Sequence, residues 1–203
     1  MPTLHRRNGS WLQPHLNSVL RRGSSTLSTW RDQFPTLGGR TKNFENWVLV
    51  ELVNELLHSG FAGEVRTNGH FAKAKVKAAD VPDLRGRKGR ATHLSPDISA
   101  RLPSGVRLSA EIKTGLTGIE ILDDLRIVRH YNDQRIADRA EMGWVVLLPT
   151  TDKARKGSLK TFDRICADIQ DKFRDFTLEV TNITEWLILV VAVPVPGGGP
   201  DQT

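Results

Sequence analysis

Apolar and polar positions alternate most regularly in one stretch, residues 95–114, which reads Ser-Pro-Asp-Ile-Ser-Ala-Arg-Leu-Pro-Ser-Gly-Val-Arg-Leu-Ser-Ala-Glu-Ile-Lys-Thr. A period of two is that of a half-buried strand, and Pro103-Ser104-Gly105 interrupts it with turn residues. The pattern predicts strands over 98–102 and 106–113. With the turn centred on Ser104, Ile98 faces Ala110, Ala100 faces Leu108 and Leu102 faces Val106. These six apolar side chains share one face. The other face carries Asp97, Ser99, Arg101, Arg107, Ser109, Glu111 and Lys113. A slip of one residue would mix the two sets, and burial of one face forbids it.

Around this hairpin the spacing changes to that of helices and back. Residues 43–58 place Val48, Leu49, Leu52, Val53 and Leu56 on one helical face, with Asn43 to cap the helix and Gly60 beyond its end. Glu51 and Glu55 fall on the opposite side. Glu45 falls among the leucines. It is either a buried carboxylate that needs a partner or a metal, or a solvated first-turn residue favoured by the helix dipole. Residues 71–78 alternate Phe, Lys and small side chains, as a strand with a basic face. A helix is predicted over 119–139 (Ile121, Leu122, Leu125, Val128), a strand over 142–148, a helix over 159–173 and a buried strand over 186–193. This order predicts an α/β protein with one mixed central β-sheet flanked by α-helices. Residues 1–40, rich in Arg, Ser, Gly and Pro, read as a partly ordered basic arm with a helical turn or two at 16–20. Residues 41–193 form the domain, and 194–203 a disordered tail.

Composition narrows the class. The longest apolar run, 186–193, is far short of the roughly 20 residues of a membrane span, and the N-terminus has no apolar signal core. Cys166 is the only cysteine, which excludes an internal disulfide and a cysteine zinc site. A cytoplasmic protein is the expectation. His58, His70, His93 and His130 show no metal-ligand spacing. The chain of 203 residues has a formal charge of +6, so an anionic partner is favoured, nucleic acid first. Between residues 66 and 90 Arg66, Lys73, Lys75, Lys77, Arg85, Arg87, Lys88 and Arg90 are opposed only by Asp80 and Asp83. The loop Arg85–Arg90 and the Lys73, Lys75, Lys77 face are the candidate phosphate contacts.

The hairpin carries the candidate chemistry. Its register sets Asp97 opposite Glu111, with Lys113 on the same face. Two carboxylates so placed repel unless a cation lies between them. Oxygen ligands suit Mg2+, or Mn2+, and the backbone carbonyl of Ile112 offers a further one. Lys113 would orient a water and offset charge that builds up in the transition state.

Pro96-Asp97 followed by Glu111-Ile112-Lys113 resembles the signature of the PD-(D/E)XK nuclease superfamily, over roughly residues 43–150. The resemblance implies the restriction-endonuclease-like fold and a Mg2+-dependent endonuclease acting on DNA, with Asp97, Glu111 and Lys113 catalytic. It also implies a metal-assisting glutamate on the first helix, Glu45 or, as the fallback, Glu51. A Gln or Tyr on the helix after the lysine often faces the site in this family, which makes Tyr131 and Gln134 candidates. Cutting both strands of a duplex usually takes two sites, which favours a homodimer. The alternative is a non-catalytic nucleic-acid-binding or assembly subunit on the same fold, which would bind without cleaving and keep its binding when Asp97 is replaced.

Overall fold

The hairpin forms in the expected register. In the computed structural model, which describes residues 9–33, 41–71, 76–84, 93–184 and 187–194, β4 (Ile98–Arg101) pairs antiparallel with β5 (Arg107–Thr114). Ile98 lies opposite Ala110 and Ala100 opposite Leu108. The tight turn is closed by Leu102 N–H donating to Val106 O at 2.9 Å.

Before the hairpin come α1 (Leu12–Gln33), α2 (Thr41–His58), β1 (Glu64–Thr67), β2 (Val76–Lys77) and β3 (His93–Leu94). After it come α3 (Gly118–Asp133), β6 (Arg139–Leu147), α4 (Asp152–Lys172), β7 (Phe176–Thr184) and β8 (Leu187–Pro194). The main sheet has six strands in the order β1-β4-β5-β6-β8-β7. Among the described residues only β5 and β6 are parallel, because α3 carries the chain back across the sheet between them. The protein is therefore mixed α/β, a six-stranded mixed sheet with four α-helices among the described residues.

Each face of the sheet has its own core. The apolar hairpin residues Ile98, Ala100, Leu102, Leu108, Ala110 and Ile112 pack with Leu12, Leu16, Val19 and Leu20 of α1 and Val48, Leu52 and Leu56 of α2. On the other face Met142, Trp144 and Val146 of β6 and Ile188, Val190 and Ala192 of β8 pack with α3 and α4. Among the described residues no helix is long and apolar enough to cross a membrane.

Several sequence expectations need correction. Residues 12–33 are a helix of the core and not an arm. Leu12, Leu16, Val19 and Leu20 recur at i, i+4, i+7 and i+8, a helical stripe diluted by Gln13, Pro14, His15, Asn17 and Ser18 between them. Ser10 caps this helix, its Oγ accepting from Gln13 N–H at 2.9 Å. Gly143 lets it lie close: a Cβ there would stand 2.7 Å from Leu16 Cδ1. The folded unit thus extends N-terminal to residue 41. The helix expected over 119–139 ends at Asp133, where Arg135 turns with φ 51°. The Asn132 side chain ties that end to β6, donating to Val128 O and Ala140 O and accepting from Ala140 N–H. The strands β1 and β7 were not expected. Of the strand expected over 71–78, the described residues form only the two-residue β2, which pairs with β3 outside the main sheet and carries Lys77 exposed; Phe71 lies in a bend and Ala78 opens a 3-10 turn. Lys73, Lys75, Arg85, Arg87, Lys88, Arg90 and the tail 195–203 lie outside the described residues.

Candidate active site

The site begins where β4 ends before β5 does. In the register of the hairpin the even-numbered residues of β5 turn their backbone groups toward β4. The next such residue is Ile112, and the residue facing it is Pro96, which has no N–H to give the Ile112 carbonyl. The Ile112 N–H is taken up by the Asp97 carboxylate, Oδ2 accepting at 2.8 Å. From the other side Asn68 N–H donates to Asp97 O at 3.2 Å, so the residue is held between β1 and β5. A proline that removes a ladder bond and an aspartate that replaces it thus open a notch at the C-terminal end of β5.

Three further side chains surround the notch. Glu111 and Lys113, odd-numbered, project toward α3, with Glu111 buried and Lys113 half-buried. Lys113 Nζ lies 3.2 Å from Glu120 Oε2 and 4.0 Å from Asp124 Oδ2, both on α3. Burial disfavours the ammonium, but the charges of Asp124, Glu45 and Glu120 outweigh this and raise its pKa above the ordinary value. Glu45 reaches the notch from the second turn of α2, which starts at Thr41 and not at the expected cap Asn43, and Thr114 Oγ1 donates to its Oε2 at 3.4 Å. Burial pushes the Glu45 carboxyl up; the Lys113 charge pulls it down and the Asp97 charge pushes it up again. Glu45 therefore feels both Asp97 and Lys113. Glu51, six residues on, lies about 9 Å further along the helix.

The structure thus bonds Asp97 to the Ile112 N–H and sets Glu45 within electrostatic reach of both Asp97 and Lys113, while Glu111 lies next to Ile112 along β5. It does not bring Gln134 or Tyr131 there. Glu120 and Asp124 fix the N-terminal half of α3 beside Lys113, and Gln134 is about 20 Å along that helix axis from Glu120. Gln134 lines a surface cleft with Arg126, Arg129 and Lys172. Tyr131 is buried, its ring edge-on to His70 with centroids 5.2 Å apart. Sequence reasoning missed Glu120 and Asp124. Their i, i+4 spacing was a visible signal, but nothing in the sequence said which strand that helix face would meet.

Among the described residues no group of three or more His, Cys, Asp or Glu side chains gathers as a metal cluster. Mg2+ does not require one, since it commonly takes one or two carboxylates and completes its shell with water and phosphate oxygens. Asp97, Glu111 and the Ile112 carbonyl are oxygen donors of the kind Mg2+ takes. Lys113 brings a single positive charge to a neighbourhood that holds Asp97, Glu111, Glu45, Glu120 and Asp124. A divalent cation fits that balance. Comparison with protein-family models, with curated proteins and with solved structures found no match to the chain.

Proposed function

We propose that the protein is a Mg2+- or Mn2+-dependent nuclease of the PD-(D/E)XK type that hydrolyses phosphodiester bonds in DNA. One observation carries the reading. Asp97 sits on the Ile112 N–H at the end of a strand pair, with Glu111 and Lys113 on the strand it caps. The finer fold assignment, restriction-endonuclease-like, is part of the proposal. It is supported by a mixed sheet whose site hairpin leads through a helix into a parallel neighbour.

Asp97 and Glu111, with the Ile112 carbonyl, would hold the cation, and Glu45 would assist from α2. When bound, the ion polarises a phosphoryl oxygen and lowers the pKa of water. Lys113, held as an ammonium by the acids around it, would orient the attacking water and offset negative charge developing on the phosphorus oxygens. Glu120 and Asp124 keep that ammonium on the α3 side of β5. Pro96 and Asp97 together prevent β4 from closing over the notch, which leaves backbone and carboxylate oxygens facing one place.

The test is cleavage of plasmid and of single-stranded DNA, with Mg2+ or with EDTA, by wild type and by Asp97→Ala, Glu111→Ala and Lys113→Ala. Each variant should lose at least about a hundredfold in rate, and EDTA should abolish cleavage. Metal-independent cutting, or full activity in all three variants, would reject the reading.

A further inference from the structure

We propose that Arg66, Phe71 and Arg101, at the β1–β4 edge of the sheet, form the contact that holds a DNA strand beside the Asp97 notch. The inference rests on the nuclease reading for its substrate, and on a different part of the molecule for its support.

Arg66 and Arg101 both stack on Phe71, each guanidinium carbon 4.6 Å from the ring centroid. The turn after β1 makes this contact. Asn68 takes φ 50°, and the chain folds back so that Phe71 lies against side chains from β1 and β4. Arg66 donates to Glu64 Oε1 through Nε at 3.0 Å and Nη2 at 2.8 Å, and through Nη1 to His70 O at 3.4 Å. Arg101 makes a single ion pair to Glu64, at 3.6 Å, too long for a hydrogen bond. Most of its five donors are therefore uncommitted to protein among the described residues. Both side chains are near half exposed, at 49% and 43%.

Two features point to an anion there. Arg101 stands directly across from Arg107 in the β4–β5 register. Like charges in cross-strand positions destabilise a sheet, and Glu64, across from Arg101 on β1, is shared with Arg66 and stands 3.6 Å from Arg101. A phosphate over the row would compensate from within. The second feature is the route to the notch. Arg66, Thr67 and Asn68 are consecutively exposed, and Asn68 bonds the backbone of Asp97. Arg66 is thus about 7 Å along the strand from Asn68, and Arg101 about 13 Å from Asp97. DNA advances about 3.4 Å per nucleotide along its axis, so these arginines would meet phosphates two to four steps from the bond at the notch. Phe71, in contact with both guanidinium groups, fixes the two cations beside each other as a ready-made phosphate contact.

The experiment is fluorescence anisotropy of a labelled 20-nucleotide single strand and of its duplex, in EDTA, across a salt series. Arg66→Ala/Arg101→Ala should weaken binding at least about tenfold and lower the salt slope by about two ions. Phe71→Ala, which frees both guanidinium groups from their shared support, should weaken single strand and duplex alike by about threefold. Arg66→Lys/Arg101→Lys, which retains both charges and serves if the alanine pair does not fold, should keep most of the salt slope while losing affinity for the single strand. Photocrosslinking of 4-thiothymidine DNA to the wild type should mark the segment containing Phe71. Unchanged affinity and slope in a natively melting alanine pair, or crosslinks only elsewhere, would overturn the inference. If cleavage still needs Asp97 in that case, the nuclease reading stands without it. Arginine-dependent binding with no cleavage by the wild type would sink the nuclease reading and keep the contact.

Discussion

The sheet buries carboxylates in two places, on opposite faces, and they are built differently. Glu141 on β6 is fully buried toward α1. Its oxygens accept from Ser10 Oγ at 2.6 Å, Trp11 N–H at 3.2 Å and Leu12 N–H at 3.1 Å, and Arg139 Nε lies 2.7 Å away. This is a carboxylate that receives the N-terminus of a helix, where unsatisfied N–H groups and the dipole favour negative charge. At the Asp97 notch the proportions are reversed. Several carboxylates crowd one lysine, and a strand ends early so that backbone oxygens face the same point. Burial of an acid is thus no sign of a site. The sign is an excess of negative charge together with an interrupted hydrogen-bond ladder.

The largest expected effects separate the two places by what they damage. Glu111→Ala should reduce single-turnover cleavage at least a hundredfold, about 2.7 kcal/mol in the barrier, while its urea melt stays close to wild type. Lys113→Ala should lose as much cleavage and also some stability, because it removes the cation beside the buried Asp124. Glu141→Ala should do the converse of Glu111→Ala. It strands Arg139 and uncaps α1, a loss of about 3 kcal/mol, with cleavage per folded molecule retained. A stable Glu141→Ala protein that cannot cleave would undo the contrast.

Gly143→Val tests whether α1 belongs to the core. Its side chain would strike Leu16 and Ile112, whose nearest atoms lie 2.7 Å and 3.1 Å from a Cβ placed there. Overpacking of this kind costs about 1–3 kcal/mol. Amide exchange should quicken first in α1. Equal acceleration across α4 would mean that α1 is not a separable layer.

Within the notch itself the two acids beside Lys113 should differ. Asp124 has a side chain only 3% exposed, whereas that of Glu120 is 54% exposed and screened by water. Asp124→Asn should therefore slow cleavage about tenfold and Glu120→Gln less than about threefold, although Glu120 lies closer. The reverse order would show that proximity outweighs burial at this lysine.

What the sequence disclosed follows the same division. The hairpin register was legible because strict alternation over two strands with one short turn admits a single pairing, and that register carried Asp97, Glu111, Ile112 and Lys113. The stripe on α2 was legible for the same reason, and Glu45 stood out in it as the one carboxylate among leucines. The edge strand β7 was overlooked even though Phe176, Leu178 and Val180 alternate with Thr177, Glu179 and Thr181. Asp124 and Glu141 were beyond reach by another route, since each acquires its meaning from a partner far away in the chain. Glu141 needs Ser10, and Asp124 needs β5 to run beside α3. Local periodicity specifies which side of an element is buried, but not what it is buried against.

The smallest effect is a pH dependence, and it concerns Glu141. Burial pushes the Glu141 carboxyl above its ordinary 4.5, and Arg139, Ser10, Leu12 and Trp11 only partly pull it back. The folded protein then holds a proton that the unfolded chain has released, so stability falls as pH rises between the two pKa values. The contribution of Glu141 is fully present below pH 4.5 and is lost as pH climbs through the folded value. Glu141→Gln, which keeps the shape and cannot ionise, should remove that slope. Relative to wild type, the variant should gain thermal stability as pH increases from 4.5. A difference in Tm between the two proteins that is flat across this range would mean that the N-terminus of α1 stabilises the Glu141 charge at least as strongly as burial opposes it.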